Sequence, residues 1–254
     1  MSKKQKIHQF LRESGLFTSK GEILRVLEAG RVEIAGVVVK NPEYQFKLRE
    51  EVFVDRKRVS GKEEHLYLLL HKPAGYVCHK LNAIQKQAGK KSIFSILPVS
   101  TSFEDLNRLT CVGRLDEDTT GLLIITSDGK LNHFITNPMH SVEKTYRVVL
   151  DKPLSSEARA RIEEGLIIVL EEDGEVFKYK TKPAKITMGR DACSLEITIS
   201  EGKKRVVRRS FEAVNNQVVD LCRVRIGKLV LDTEVPRVGD VKKVYKEYIM
   251  ERVQ

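Results

Sequence analysis

The stretch from Val112 to Asp128, VGRLDEDTTGLLIITSD, constrains the fold more than any other. Leu122 to Ile125 is an unbroken apolar run that has to enter the interior, and turns at Thr120-Gly121 and Ser127-Asp128-Gly129 bound it. Directly before it stand Arg114 and three acids, Asp116, Glu117 and Asp118. A short acidic loop is therefore fastened between elements that bury themselves, and loops on rigid scaffolds are where catalytic groups sit. The plain alternative is an aspartate serving its own backbone in a turn. A calcium loop is a poorer match: Asp116, Asp118, Thr120 and Gly121 occupy the first, third, fifth and sixth places, but Ser127 stands where a bidentate Glu is needed.

A chain of 254 residues with 41% hydrophobic content has room for one ordinary domain plus a small one. Its formal charge of +10, from 45 basic against 35 acidic residues, favours a polyanionic partner such as nucleic acid. No apolar run approaches the roughly 18 residues that span a bilayer, and the N-terminal lysines have no apolar core behind them. A cytoplasmic protein without membrane contact is expected. Cys78, Cys111, Cys193 and Cys222 are far apart and form no CxxC pair, which suits reduced buried thiols better than zinc or disulfides. No metal site is expected, and without a heptad pattern a monomer is the default.

Ile7 to Ser14 places Ile7, Phe10 and Leu11 on one helical face and ends at Gly15. Ser19 caps a second helix carrying Ile23, Leu24, Val26 and Leu27, stopped by Gly30. Arg31 to Ile34 and Val37 to Val39 form a hairpin about Ala35-Gly36, and Glu51 to Asp55 is a further strand. The helix-helix-strands order, with FLRESGL, LEAGRVEIAG and VFVD, resembles an S4 RNA-binding domain. Arg12, Lys20, Arg25 and Arg31 are its candidates for phosphate contacts, against a plain reading as solvated surface. Arg56 to His65 is charged and without apolar periodicity, so residues 1–58 are expected to form this module and 59–65 a flexible linker.

The second domain is expected over 66–254. Leu66 to Leu70 reads as a buried strand, His71 to Cys78 as a turn and another strand, and 81–89 as an exposed loop. A helix is expected after Asp128, where Leu131, Phe134 and Ile135 recur at helical spacing, ending near Asn137-Pro138. Glu143 to Leu150 and Leu195 to Ile199 read as strands. Between 201 and 209 five basic residues, Lys203, Lys204, Arg205, Arg208 and Arg209, stand against one acid. If helical, this segment puts Val206, Val207, Phe211 and Val214 on one side and Arg208 and Arg209 on the other. Val218 to Leu231 alternates as a strand whose basic face carries Arg223 and Arg225.

Arg114-Leu115-Asp116, Thr119, Gly121-Leu122-Leu123, Thr126 and Asp128-Gly129 together resemble the signature of bacterial pseudouridine synthases of the ribosomal small-subunit type. YLLLHKPAGYVC is similar to that family's opening strand, with His71 where Asn is common. The resemblance implies an α+β fold: a small S4-like module plus a larger, mainly antiparallel mixed-sheet catalytic domain with flanking helices. It implies that Asp116 is the catalytic residue, that Tyr146 of Lys144-Thr145-Tyr146 faces the base, and that Arg208 pairs with the aspartate. Val206 and Ser210 stand where the family usually has Gln and Met. Arg114, Lys203, Lys204, Arg205 and Arg209 join the expected RNA contacts.

The implied reaction converts uridine in ribosomal RNA, free or in an assembling subunit, to its C-glycoside. It oxidises nothing and imports no group, so no cofactor is expected. A phenol ring offers a flat face to an extruded uracil and could assist in taking the C5 proton. A basic partner favours the ionised carboxylate. Two other readings compete: an RNA-binding assembly factor of the same fold with weak or lost turnover, for which Val206 and Ser210 are the motive, and a carboxylate-pair glycosidase using Asp116 and Asp118.

Overall fold

The computed structural model describes residues 4–60, 64–98, 102–172 and 174–253. Two compact units divide the chain: 1–66 with 98–110, and 67–97 with 111–254. Residues 98–110 thus fall with the first unit, whereas the sequence reading has them in the second. No helix among the described residues is long and apolar enough to cross a membrane.

In the first unit Ile7–Ser14 and Lys20–Glu28 are the two expected helices. Ser19 caps the second, its hydroxyl accepting from the Glu22 amide at 3.2 Å. Gly15 ends the first with a left-handed φ of +77°, and a Cβ there would lie 2.3 Å from the Glu104 carbonyl oxygen. Glycine thus both stops the helix and admits a further one, Phe103–Arg108, which no periodicity had signalled. Asn107 reinforces that approach by donating to the Gly15 carbonyl at 3.1 Å.

An antiparallel sheet follows, in the order Val37–Val38, Val32–Ile34, Val52–Val54, Lys57–Val59. Ala35 and Gly36 both take positive φ, the turn that matches strand twist in a two-residue hairpin. The last strand corrects the expected division: 59 belongs to the sheet with 57 and 58, not to a flexible linker. Lys57 and Arg58 point to solvent from an edge strand, so only Val59 is buried and no alternation betrays it. Residues 61–63 of that expected linker lie outside the described residues.

The second unit is built on a mixed sheet whose path runs Lys185–Met188, Ser194–Ile199, Lys144–Leu150, Val218–Ile226, Thr120–Thr126, Tyr67–Lys72, Val241–Lys243. Only Thr120–Thr126 against Val218–Ile226 is parallel; the other pairings along this path are antiparallel. Leu122 to Ile125 is completely buried in the middle, as an apolar run bounded by turns requires. One face of the sheet carries a core of Leu122, Ile124, Val224, Ile226 and Leu69 under the helices Gly129–Thr136 and Lys246–Val253. The terminal strand Val241–Lys243 and helix Lys246–Val253 are not among the expected elements. Residues 83–87, expected as loop, form an exposed helix started by a capping box between Asn82 and Gln85.

Asp128 is a structural acid. It caps the helix Gly129–Thr136 through the Lys130 and Leu131 amides at 2.9 and 3.1 Å, and accepts from Tyr67 at 3.0 Å and Lys246 at 2.8 Å. Burial alone would raise its pKa, but these bonds outweigh it and hold the carboxyl at about 2. An unfolded aspartate titrates near ~3.9. Its stabilisation is therefore present above that value and lost as pH falls toward 2. Asp128→Ala removes a cap and its bonds to Tyr67 and Lys246, an expected loss of roughly 1–3 kcal/mol in chemical denaturation. The difference between the two proteins should shrink below about pH 4.

Candidate active site

The acidic loop is pinned from beneath. Lys72, fully buried at the end of its strand, donates to the carbonyls of Pro73, Glu117 and Thr119 at 3.0, 3.2 and 2.8 Å. Burial pushes its ammonium pKa down, partly countered by Cys78 and by the loop acids. The Gly75 amide reaches the Glu117 carbonyl at 2.8 Å, and the Cys78 sulfur sits 3.4 Å from both the amide and the carbonyl oxygen of Leu115. A hydrogen bond from Cys111 lowers the Cys78 thiol's pKa, and the same bond raises that of Cys111.

With the backbone so held, the three acids separate. Glu117 pairs with Lys90 at 2.6 Å and Asp118 with Arg208 at 2.9 Å. Asp116 lines a cavity of about 310 Å³ together with Glu117, and the Arg205 guanidinium is 3.6 Å from its carboxylate. This differs from the expected pairing: Asp116 is ion-paired with Arg205, while Arg208 pairs with Asp118. Nor is Arg208 on a solvated helix face. It is buried, bonds the Val218 carbonyl at 2.9 Å, and ties the helix Val206–Glu212 to the loop. Arg205 stands in left-handed conformation at the start of that helix, one residue before the backbone turns regular.

The opposite wall comes from the sheet. Tyr146, buried on Lys144–Leu150, lines the cavity with Lys144, and its cross-strand partner is Arg223. Arg223 is buried too, so the expected basic face of that strand is only half right: Arg225 is exposed, while Arg223 forms part of the cavity wall. Its Nε donates to the Leu122 carbonyl at 2.8 Å, and its backbone abuts Gly121. Sequence reasoning missed Lys72 and Arg223 as site residues, since a cation on a strand reads as solvent-facing.

Arg114, Lys203, Lys204 and Arg205 rim the same cavity. Arg209 does not; it donates to the Val169 carbonyl at 2.7 Å. In the first unit Arg12, Lys20 and Arg25 are exposed, whereas Arg31 is engaged by Asp55 through two hydrogen bonds. Val206 lines the cavity, and the Ser210 hydroxyl folds back on the Val206 carbonyl at 2.9 Å. Such a cavity offers a carboxylate, an aromatic ring and a cationic rim, which suits a flat base on a polyanionic chain.

The family profile described as RNA pseudouridylate synthase matches residues 66–213, and the S4 domain profile matches 5–53. This chain belongs to the RNA pseudouridylate synthase family. As a member it is an enzyme of the pseudouridine synthase class, and its two matched domains imply RNA as the partner. A relative in Yersinia pestis, named ribosomal small subunit pseudouridine synthase A, is 34% identical over 91% of both chains. One of the same name in Pasteurella multocida is 34% identical over 96% of this chain and 97% of its own. A solved pseudouridylate synthase structure is 31% identical, covers 98% of this chain and 99% of its own, and superposes with a TM-score of 0.66. This pseudouridine synthase therefore has the α+β architecture its sequence implies, with the matched region enclosing Asp116, Tyr146 and Arg208.

Proposed function

We propose that this synthase isomerises a specific uridine of ribosomal RNA to pseudouridine, acting in the cytoplasm as a monomer and without metal or cofactor. The observation that carries the reading is the sorting of the loop acids. Lys90 and Arg208 engage Glu117 and Asp118 at 2.6 and 2.9 Å, whereas Asp116, which lines the cavity with Glu117 and Tyr146, meets Arg205 at 3.6 Å. As the N1–C1′ bond loosens, positive charge grows on the sugar, and an ionised carboxylate beside C1′ adds to it or removes the neighbouring 2′ proton. Tyr146 supplies the face on which the extruded uracil lies. Arg205 stands 3.6 Å from the Asp116 carboxylate, and Arg208 sets the loop that carries it. The rim cations and the exposed Arg12, Lys20 and Arg25 contact phosphates. The names of the relatives support ribosomal RNA as the substrate.

Arg208 on Asp118 weighs against a carboxylate-pair glycosidase, whose second acid must be free to act. The test is tritium release from C5-labelled uridine in ribosomal RNA transcripts and in assembling subunits. Release at a single site is the expected result. Binding without release on either substrate would favour an RNA-binding assembly factor.

A further inference from the structure

Lys144 and Tyr146 lie two residues apart on one strand, so both side chains project to the same side of the sheet, and both line the cavity that holds Asp116. Among the described residues the Lys144 ammonium makes one hydrogen bond, to the Val142 carbonyl at 2.9 Å, and no ion pair. Two of its three N–H groups are left for a ligand. Arg223 from the neighbouring strand and Lys182 act on it most, and the cavity it lines also carries Asp116, Glu117, Glu201, Arg114, Lys203, Lys204, Arg205 and Arg208; Tyr146 is its titratable neighbour on its own strand.

The reaction proposed above has a proton requirement of its own. One hydrogen leaves C5 and one is gained at the freed ring nitrogen, with no net change. A single group that gives a proton early and recovers one late satisfies both halves. We propose that Lys144 is that group, donating to the uracil as N1–C1′ breaks and taking the C5 proton after C5–C1′ has formed. This rests on the pseudouridine reading.

The electrons balance without a further reagent. The N1–C1′ pair leaves on the uracil, spread over N1 and the carbonyl oxygens, and the ammonium protonates it and becomes an amine. The turned uracil uses its ring π electrons to bond C1′ from C5, which leaves a hydrogen on a now tetrahedral C5. The amine removes it, restoring the ring double bond and the ammonium. Such a shuttle needs a pKa near ambient pH. Burial, then Arg223 and Lys182, bring Lys144 down to about 8. Asp116 remains free for the sugar and Tyr146 for the face of the base.

The test uses the full chain on a ribosomal RNA transcript with hydrogen or deuterium at C5. Lys144→Arg keeps the cation but cannot release its proton, so kcat should fall on the order of 100-fold. RNA affinity should stay within about threefold, and a primary C5 isotope effect absent from the native enzyme should appear. Lys144→Gln should lose at least as much without that isotope effect, because bond cleavage then limits. The native kcat should fall above about pH 8, and that limb should vanish in Lys144→Arg. Native turnover with both variants within threefold of it, or with equal losses and no isotope effect in Lys144→Arg, overturns the proposal alone. A native chain that forms no pseudouridine overturns the function reading as well.

Discussion

Asp116→Asn is expected to abolish pseudouridine formation, by roughly 10⁴-fold or more, the scale on which loss of a reacting group is felt. RNA affinity should stay within about twofold, because phosphate contacts supply most of it. The substitution keeps the side chain's shape and removes only its charge and its ability to attack or take a proton. Asp118→Asn is the control. Its carboxylate is 55% exposed but its partner Arg208 is buried, so the substitution loosens the loop, and a loss of roughly 10–100-fold, well short of that in Asp116→Asn, is expected. Tritium release and filter binding, run side by side on both variants, separate the outcomes. Equal losses from the two would mean that the carboxylates act as a pair.

Gly121→Ala should cost roughly 2–5 kcal/mol and most of the activity. Glycine is needed here on two counts. Its φ is +110°, outside what a side chain tolerates, and a Cβ would lie 2.3 Å from the Arg223 carbonyl oxygen in the adjacent parallel strand. Relief of that clash would push apart the strand that follows the acidic loop and the strand that carries Arg223. Thermal melting should show the loss. Turnover of the surviving folded fraction should also be low, since Asp116 and Arg223 no longer keep their spacing.

The buried run Leu122–Ile125, the hairpin about Ala35-Gly36 and the capped helices were legible because each is a local pattern with one physical solution. Asp116 and Tyr146 were legible only through a resemblance, and the structure then brought both to one cavity. What stayed hidden depends on what covers each position along one face of a sheet. Arg223 alternates in phase with exposed Arg225, and nothing local distinguishes the one that lines a cavity from the one in solvent. Likewise Arg205 and Arg208 sit a helical turn apart in one basic block. Their partners, Asp116 and Asp118, are two residues apart in a loop about ninety residues away, so which arginine meets which acid is decided by tertiary packing.

The helix Phe103–Arg108 has a bearing on how this architecture can be inherited. A module that takes one of its pieces from the far side of a strand-turn-strand stretch cannot be exchanged by a single recombination at residue 66. Trimming the chain there leaves Asn107 without the Gly15 carbonyl it bonds, and Arg108 without the Glu64 carbonyl it holds at 2.7 Å. Lineages that shed or swap the RNA-binding front end would have to rewrite 102–108 at the same time, and the two units are bound to evolve as a pair.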